Sequence, residues 1–256
     1  MEFKRLLTYA LKLQRERGND HEVARILRNL SDSNWKMDLA EEGIQQAREA
    51  LGIYERLGDT TEQAKSLVRL ARLLRADKQF DAAEESALRA VDFFSEKGDR
   101  FELCDSHRIL GQIYRFKGET EKAVHHYGIA LEIASSSNWH NAAFWANYSL
   151  AQLFLCESRF DDACAHVERA RPHAHSINST YCQGRVAEIQ ARIWYKQHKL
   201  KEAKSEFLHA ADIYERLGAA KDLESCRKFL QDVEKELNTS IASGPGQSDS
   251  NICELL

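Results

Sequence analysis

The chain repeats itself every 40 residues, and this period limits the folds it can adopt more than any other feature of the sequence. One residue that tolerates left-handed backbone recurs at that spacing, in the series Gly18, Gly58, Gly98, Asn138, Asn178 and Gly218. Glycine and asparagine at such positions are typical of helix C-terminal ends. A fixed period of this length predicts a stack of similar supersecondary units, each of which buries its apolar face against the next unit.

Other residue classes keep the same register along the chain. Small residues form three columns: Ala50, Ala90, Ala130, Ala170 and Ala210; Gly43, Ala83, Ala123, Ala163 and Ala203; and Ser31, Ala71, Gly111, Ala151 and Ala191. Large apolar residues form two more: Leu30, Leu70, Leu110 and Leu150; and Leu74, Tyr114, Phe154 and Trp194. Small side chains at fixed places allow helices to cross closely. Since only 2 of 256 residues are proline, each unit is interpreted as helix A, a short turn and helix B.

Residues 107–135 carry a family resemblance. This segment has Leu110-Gly111, Tyr114, Gly118, Ala123, Tyr127 and Ala130 at the spacing of the tetratricopeptide-repeat (TPR) consensus. Its 40-residue period resembles the arrays of kinesin light chains and of the Leu-Gly-Asn-repeat spindle-orientation scaffolds. The resemblance implies an all-α fold, a right-handed α-α superhelix in which the A helices line the concave side and hold protein ligands.

The register divides the chain into a TPR solenoid over residues 1–238 and a tail over 239–256. Within the solenoid we predict a half repeat at 2–17, full repeats at about 19–58, 59–98, 99–138, 139–178 and 179–218, and a capping helix at 221–237. The tail is polar and rich in glycine and serine, so that we expect disorder there. Two departures from the pattern are Asn34, which stands where an aromatic is expected, and Pro172, which predicts a kink or an early end of its helix.

Several functional classes find no support in the sequence. It has no phosphate-binding or dinucleotide-binding glycine motif, and we expect no cofactor and no enzymatic activity. Cys164 and His166 stand two apart on a predicted helix and diverge, as do His173 and His175, so we expect no metal. The six cysteines contain no CxxC pair, and a formal net charge of −4 favours neither nucleic acid nor a membrane surface. Reduced cysteines and the lack of a signal peptide point to the cytoplasm.

The inward stripe of the A helices is the predicted interaction site. Of its 20 positions, 9 are basic and 3 acidic, while the other residues carry a formal excess of ten acids. The residues predicted to bind a partner are Arg25, Arg28, Trp35, Lys65, Arg72, Arg75, Arg108, Arg115, Trp145, Tyr148, Leu155, Arg185, Arg192 and Tyr195. Arginine matches carboxylates, and Trp, Tyr and Arg dominate interface energies. The stripe therefore predicts a protein or peptide partner with acidic and apolar residues.

Two alternatives to this function stay open, and so does a lipid modification. The array could be the C-terminal sensor or autoinhibitory arm of a multidomain signalling NTPase, present here as a fragment. RNA could lie along the basic stripe, although the aromatic residues are not repeated once per unit as base stacking would need. The last four residues, Cys253-Glu254-Leu255-Leu256, fit a prenylation motif loosely, so the chain would meet a membrane only if Cys253 were lipidated.

Overall fold

A computed structural model describes the backbone of residues 2–36 and 39–242 and the side chains of residues 4–34 and 39–239. Over these residues the secondary structure is entirely helical, as predicted. Twelve helices are described there: α1 Glu2–Glu16, α2 Asp20–Lys36, α3 Ala40–Leu57, α4 Thr60–Ala76, α5 Phe80–Lys97, α6 Arg100–Lys117, α7 Thr120–Ser136, α8 His140–Cys156, α9 Phe160–Ser176, α10 Thr180–Lys196, α11 Leu200–Leu217 and α12 Ala220–Ala242.

The helices form two compact units, residues 1–146 and 147–256. In the first unit α2 packs on α3, α4 on α5 and α6 on α7, which are the A and B helices of successive repeats, and α1 packs on α2. In the second unit α9, α10, α11 and α12 pack in chain order. Consecutive antiparallel helices joined by short turns thus build each unit from local contacts, as the period predicts.

Left-handed residues close the B helices at the predicted positions. The backbone φ is positive at every member of the series, from 48° at Asn178 to 70° at Gly58 and Gly98. A second series with the same period closes the A helices, at Lys78, Gly118, Ser158 and His198, and only one of its members is glycine. The first series is a confirmed prediction. The short turns between helices A and B were expected, but their left-handed residues were not, because lysine, serine and histidine rarely adopt positive φ.

Small residues fill the helix crossings. The alanines of the column from Ala50 to Ala210 are at most 1% exposed, and those from Ala83 to Ala203 are fully buried. At Gly111 the approach is closest, because a Cβ atom there would lie 2.6 Å from the buried ring of Tyr127. The predicted columns are therefore the packing contacts of the repeats.

Three elements differ in detail from the sequence analysis. Helix α9 contains Pro172 and continues to Ser176, so the predicted early end is wrong. Burial of Val167, Ala170 and Ala174 along α9 holds this helix together past the proline. Helix α12 runs through Ala242, beyond the predicted limit at residue 237. The remaining tail, residues 243–256, lies outside the described residues.

Asn34 is fully buried although it replaces a large apolar residue. Its Nδ2 atom donates a hydrogen bond of 2.9 Å to Oε1 of Gln46 on α3. A buried polar group of this kind costs free energy unless it is paired. The Asn34–Gln46 pair therefore substitutes a hydrogen bond between helices for the apolar contact made at this register elsewhere.

Candidate interaction site

Ion pairs connect the A helices of the first unit and show that their charged side chains share one surface. Arg28 on α2 pairs with Glu62 on α4. Nε of Arg69 on α4 lies 3.1 Å from Asp32 on α2. We call this surface of α2, α4 and α6, defined by Arg25, Arg28, Lys65, Arg72, Arg75, Arg108 and Arg115, the A face.

Asp105 binds two of the predicted arginines at once. Nη2 of Arg72 donates to one carboxylate oxygen at 2.8 Å, and Nε of Arg108 donates to the other at 3.1 Å. Burial raises the pKa of the Asp105 carboxyl, but the two guanidinium groups outweigh it and hold that pKa below its ordinary value. The carboxylate is therefore charged at neutral pH and offsets part of the positive charge of the A face.

Two further predicted cations have acidic neighbours on their own helices. Arg25 pairs with Glu22, and Nζ of Lys65 lies 3.2 Å from Glu62, each in an i, i+3 arrangement. Pairs of this kind on a helix surface contribute little to stability. They do reduce the local excess of positive charge, so that the first part of the A face is close to balanced.

Arg75 and Arg115 differ from the other cations of the A face. Within the described residues neither side chain forms an ion pair or a hydrogen bond with an acidic group. Both Nε atoms are buried without a hydrogen-bond partner, a feature they share with Arg28, which does pair with Glu62. Their guanidinium carbons lie 5.6 Å and 4.5 Å from the centre of the Phe116 ring. The unbalanced charge of the A face is concentrated at these two residues.

Two predicted residues of the second unit are core residues. Tyr148 is 4% exposed and Leu155 is 8% exposed. Their helix, α8, is rich in apolar residues and buried along most of its length, and Trp145 and Gln152 are only half-buried. The expectation that Tyr148 and Leu155 are presented to a partner is corrected by this burial. Nε2 of Gln152 donates to the Tyr148 hydroxyl at 3.0 Å, and Arg185 lies 5.0 Å over its ring.

The predicted residues on α10 contact the last helix of the chain. Arg185 lies 3.0 Å from Asp222 on α12 and 3.1 Å from the buried Glu188, which also accepts a hydrogen bond from Tyr214. The Arg192 guanidinium lies 5.3 Å from the centre of the Phe229 ring. The Tyr195 hydroxyl donates to Glu236. These contacts give Arg185, Arg192 and Tyr195 a structural role within the second unit.

The remaining candidates can be placed only in part. Trp145 is half-buried on α8, and its ring meets that of Phe144 edge to face at 5.0 Å. Trp35 belongs to α2, but its side chain lies outside the described residues, and so does Cys253. Binding by Trp35 and prenylation of Cys253 stay predictions.

The sequence analysis missed one aromatic contact beside the A face. Phe116 is 49% exposed and stacks on Phe80 at 6.0 Å with nearly parallel rings. Phe116 follows Arg115 directly and therefore falls outside the i, i+3, i+7, i+10 stripe. A signal was present in the sequence, because Phe116 stands between Arg115 and Lys117, and aromatic residues and arginine are enriched at interfaces.

Metal sites and membrane-spanning helices are absent from the part of the chain that the structure describes. No three His, Cys, Asp or Glu side chains come together there as metal ligands. None of the described helices has the length and apolar character needed to span a membrane. His166, part of the Cys/His group considered above, instead forms a 2.9 Å hydrogen bond with Asn147.

Comparison with known proteins identifies the repeats. A tetratricopeptide repeat family model matches residues 22–96 and 62–136. The protein KINESIN LIGHT CHAIN-RELATED 2 of Arabidopsis thaliana is 24% identical over 225 residues, which cover 84% of this chain and 31% of that protein. The chain thus spans about a third of that relative's length.

Solved structures show the same fold at low sequence identity. The Rap conjugation gene regulator of the plasmid pLS20, in complex with the Phr* peptide, is 14% identical with a TM-score of 0.65, covering 96% of this chain and 72% of its own. A Signal Transduction ATPase with Numerous Domains from Pyrococcus horikoshii, which has a tetratricopeptide repeat sensor, is 16% identical with a TM-score of 0.62. That likeness covers 93% of this chain and 42% of the ATPase chain.

Proposed function

We propose that this chain, a member of the tetratricopeptide-repeat family, is a protein-interaction module that binds an acidic, partly apolar peptide segment on the A face. The family consists of interaction scaffolds. The observation that carries the proposal is the sorting of charge, with basic side chains from α2, α4 and α6 brought onto one surface. We propose the cytoplasm as its location.

The contacts of the described residues refine which predicted residues take part. Arg25, Arg28, Lys65, Arg72, Arg75, Arg108 and Arg115 lie on the A face of the first unit, and Trp145 is the half-buried aromatic on α8. Tyr148, Leu155, Arg185, Arg192 and Tyr195 are engaged within the second unit and are left out of the proposed site. The proposed ligand therefore meets the basic residues of α2, α4 and α6 and an aromatic anchor at Trp145.

The test uses a random dodecapeptide library selected on the immobilised chain. We expect the enriched peptides to carry an excess of Asp and Glu together with apolar residues. A recovered peptide is then titrated against Arg72→Gln/Arg108→Gln at low and high salt. Association should slow several-fold at low salt and the loss should shrink at high salt, because the removed charges steer the encounter.

Trp145→Ala provides the complementary variant for the same peptide. Loss of an interface anchor typically costs about 2 kcal/mol or more and speeds dissociation. Circular dichroism of each variant checks that the helices are retained. Enrichment without any excess of acidic residues, or equal binding of the peptide to all variants, would show that the A face is not the site.

The sensor arm of a signalling NTPase is the second candidate for this chain. It requires the same fold, so the likeness to the Pyrococcus horikoshii ATPase is compatible with both functions. The identity of the binding partner distinguishes the sensor arm from the peptide-binding module. A sensor arm would bind its own NTPase domain, supplied as a separate protein, and a free acidic peptide would not compete with that binding.

A further inference from the structure

Two arginines at the same register position of successive repeats contact one aromatic ring and have no counter-ion among the described side chains. Arg75 is in the last turn of α4 and Arg115 is in the last turn of α6. Both guanidinium groups approach the ring of Phe116, so the two lie within about 10 Å of each other. Elsewhere on the A face Glu22, Asp32, Glu62 and Asp105 supply a carboxylate, and among the described side chains none does so here.

This arrangement works against the stability of the free protein. Burial, together with repulsion by Arg108, Arg115 and Arg72, lowers the pKa of the Arg75 guanidinium to about 10, although Tyr127 acts in the opposite direction. The buried Nε atoms of Arg75 and Arg115 have lost water without gaining a hydrogen bond. A buried donor left unpaired costs free energy, and features that violate local rules in this way concentrate at functional sites.

An apolar platform stands beside the two cations. The ring of Phe116 is half exposed and rests on Phe80, so its position is fixed by packing. A ring held in this way can receive an apolar side chain while the adjacent guanidinium groups receive an anion. Arginine donates two parallel hydrogen bonds to a carboxylate, which gives such a pair both strength and direction.

We propose that Arg75 and Arg115 together bind one carboxylate of the peptide, and that the apolar side chain next to it rests on Phe116. The inference rests on the proposed function and deepens it, because it assigns the electrostatic recognition to one acidic position of the ligand. The other cations of the A face are already balanced by acids of the chain. Because their charge is already paired, they hold no acidic residue of the peptide at a defined position, although their removal would still make the face more negative.

The experiment is a double-mutant cycle with an acidic peptide recovered from the dodecapeptide library. Each Asp or Glu of that peptide is changed in turn to Asn or Gln, and every form is titrated against wild type and Arg75→Gln/Arg115→Gln. We expect one peptide position whose change weakens binding to wild type about tenfold or more and binding to the variant less than about twofold. Phe116→Ala should weaken binding most for peptides that keep the apolar neighbour of that position.

Matched controls separate binding from folding and from general attraction. Arg48→Gln/Arg89→Gln removes the same charge from exposed positions of α3 and α5 and should keep the full effect of the peptide change. Unfolding of Arg75→Gln/Arg115→Gln by urea should show unchanged or increased stability, since repulsion is relieved. A clear loss of stability would show that the contacts with Phe116 and the helix C-terminal dipoles outweigh the repulsion. The carboxylate site itself is decided by the cycle, and absence of coupling at every peptide position would overturn it.

The outcomes for this inference and for the proposed function can be distinguished. Absence of acidic peptides from the selection contradicts the proposed function itself. Recovery of acidic peptides whose binding depends equally on every carboxylate, with no coupling to Arg75 and Arg115, contradicts only the single-carboxylate site. Displacement of the peptide by a dodecamer of uridine, with loss of uridine binding in Arg75→Gln/Arg115→Gln, would assign the pair to RNA.

Discussion

At the scale of single residues, the turns between A and B helices have a strained backbone conformation that their residue types do not predict. Lys78, Ser158 and His198 adopt positive φ, as Gly118 does at the equivalent position. A side chain with a Cβ atom is strained in the left-handed region, whereas glycine adopts it freely. The A helices of successive repeats therefore end in the same left-handed geometry, which is unstrained at glycine and strained at lysine, serine and histidine.

We expect Lys78→Gly to raise the free energy of unfolding by roughly 0.5–1 kcal/mol, because relief of the left-handed penalty exceeds the added entropy of the unfolded chain. The measurement is urea unfolding followed by circular dichroism. The matched control is Gly118→Ala, which has φ 77° and open space around the added Cβ atom. Its stability should fall by about 1 kcal/mol for the conformational reason alone. A stability of Lys78→Gly equal to or below that of wild type would refute the strain.

Much of the fold could be predicted from single residues, because the backbone preference of a residue is a local property. Gly18, Gly58 and the other members of that series are residues that favour left-handed backbone, so their spacing revealed the helix ends. The burial of the site residues was harder to predict from the sequence. The stripe pattern assumed one solvated face per A helix, but the apolar helix α8 is buried along most of its length, and Tyr148 is a core residue. The pairing of Arg69 with Asp32 also depends on which helices meet in space.

At the scale of helices, the crossing of α6 and α7 depends on matched sizes. Gly111 leaves room for the fully buried Tyr127 ring. At the same two register positions the next repeat has Ala151 and Val167, and the preceding repeat has Ala71 and Ala87. The fifth repeat has Ala191 with the fully buried Phe207, so the need for glycine on α6 comes from the 2.6 Å approach of the Tyr127 ring and not from ring size alone. The consensus glycine is explained here by the ring that it faces.

Gly111→Ala should lower the free energy of unfolding by about 1–3 kcal/mol, because the buried Tyr127 ring cannot move away from the new methyl group. Gly111→Ala/Tyr127→Val reproduces the pair of the next repeat and should cost less than the sum of the two single changes. Gly128→Ala, on the exposed side of α7 with nothing within 4 Å, is the control and should stabilise the helix by roughly 0.5–1 kcal/mol. Strictly additive costs in the double variant would contradict the steric account.

At the scale of the whole molecule, each unit contains a polar pair between an A helix and a B helix, with one partner buried and the other half-buried. In the first unit Nδ1 of His107 lies 2.9 Å from Nδ1 of His126. In the second unit the residues 40 positions further on, Asn147 and His166, form a hydrogen bond of the same length. Two facing imidazole nitrogens share one proton, so one ring donates and the other accepts. Protonation of both rings would break the contact.

The histidines of these two pairs make the stability of the chain dependent on pH. Burial, aided by His126 and His125, lowers the pKa of His107 to about 4. Burial likewise lowers the pKa of His126 and of His166. Since the unfolded chain binds these protons at about pH 6.5, the stabilisation by the neutral pairs is complete above that pH. It is lost as the pH falls from about 6.5 towards the pKa values of the folded protein.

We therefore expect the free energy of unfolding to fall between pH 7 and pH 5. His107→Asn should reduce that fall by roughly 1–2 kcal/mol, on the scale of 1.4 kcal/mol for each unit of pKa difference between the folded and the unfolded state. The substitution reproduces the Asn147–His166 pair, so the asparagine Oδ1 can accept the hydrogen bond from His126 while one titrating group is removed. The measurement is urea unfolding at half-unit steps of pH, with the exposed His209→Asn on α11 as a control that should follow wild type. Carboxylates that titrate in the same range act equally in all three proteins and cancel in the comparison. If His107→Asn lost as much stability as wild type between pH 7 and pH 5, the buried pair would not be the origin of the acid sensitivity.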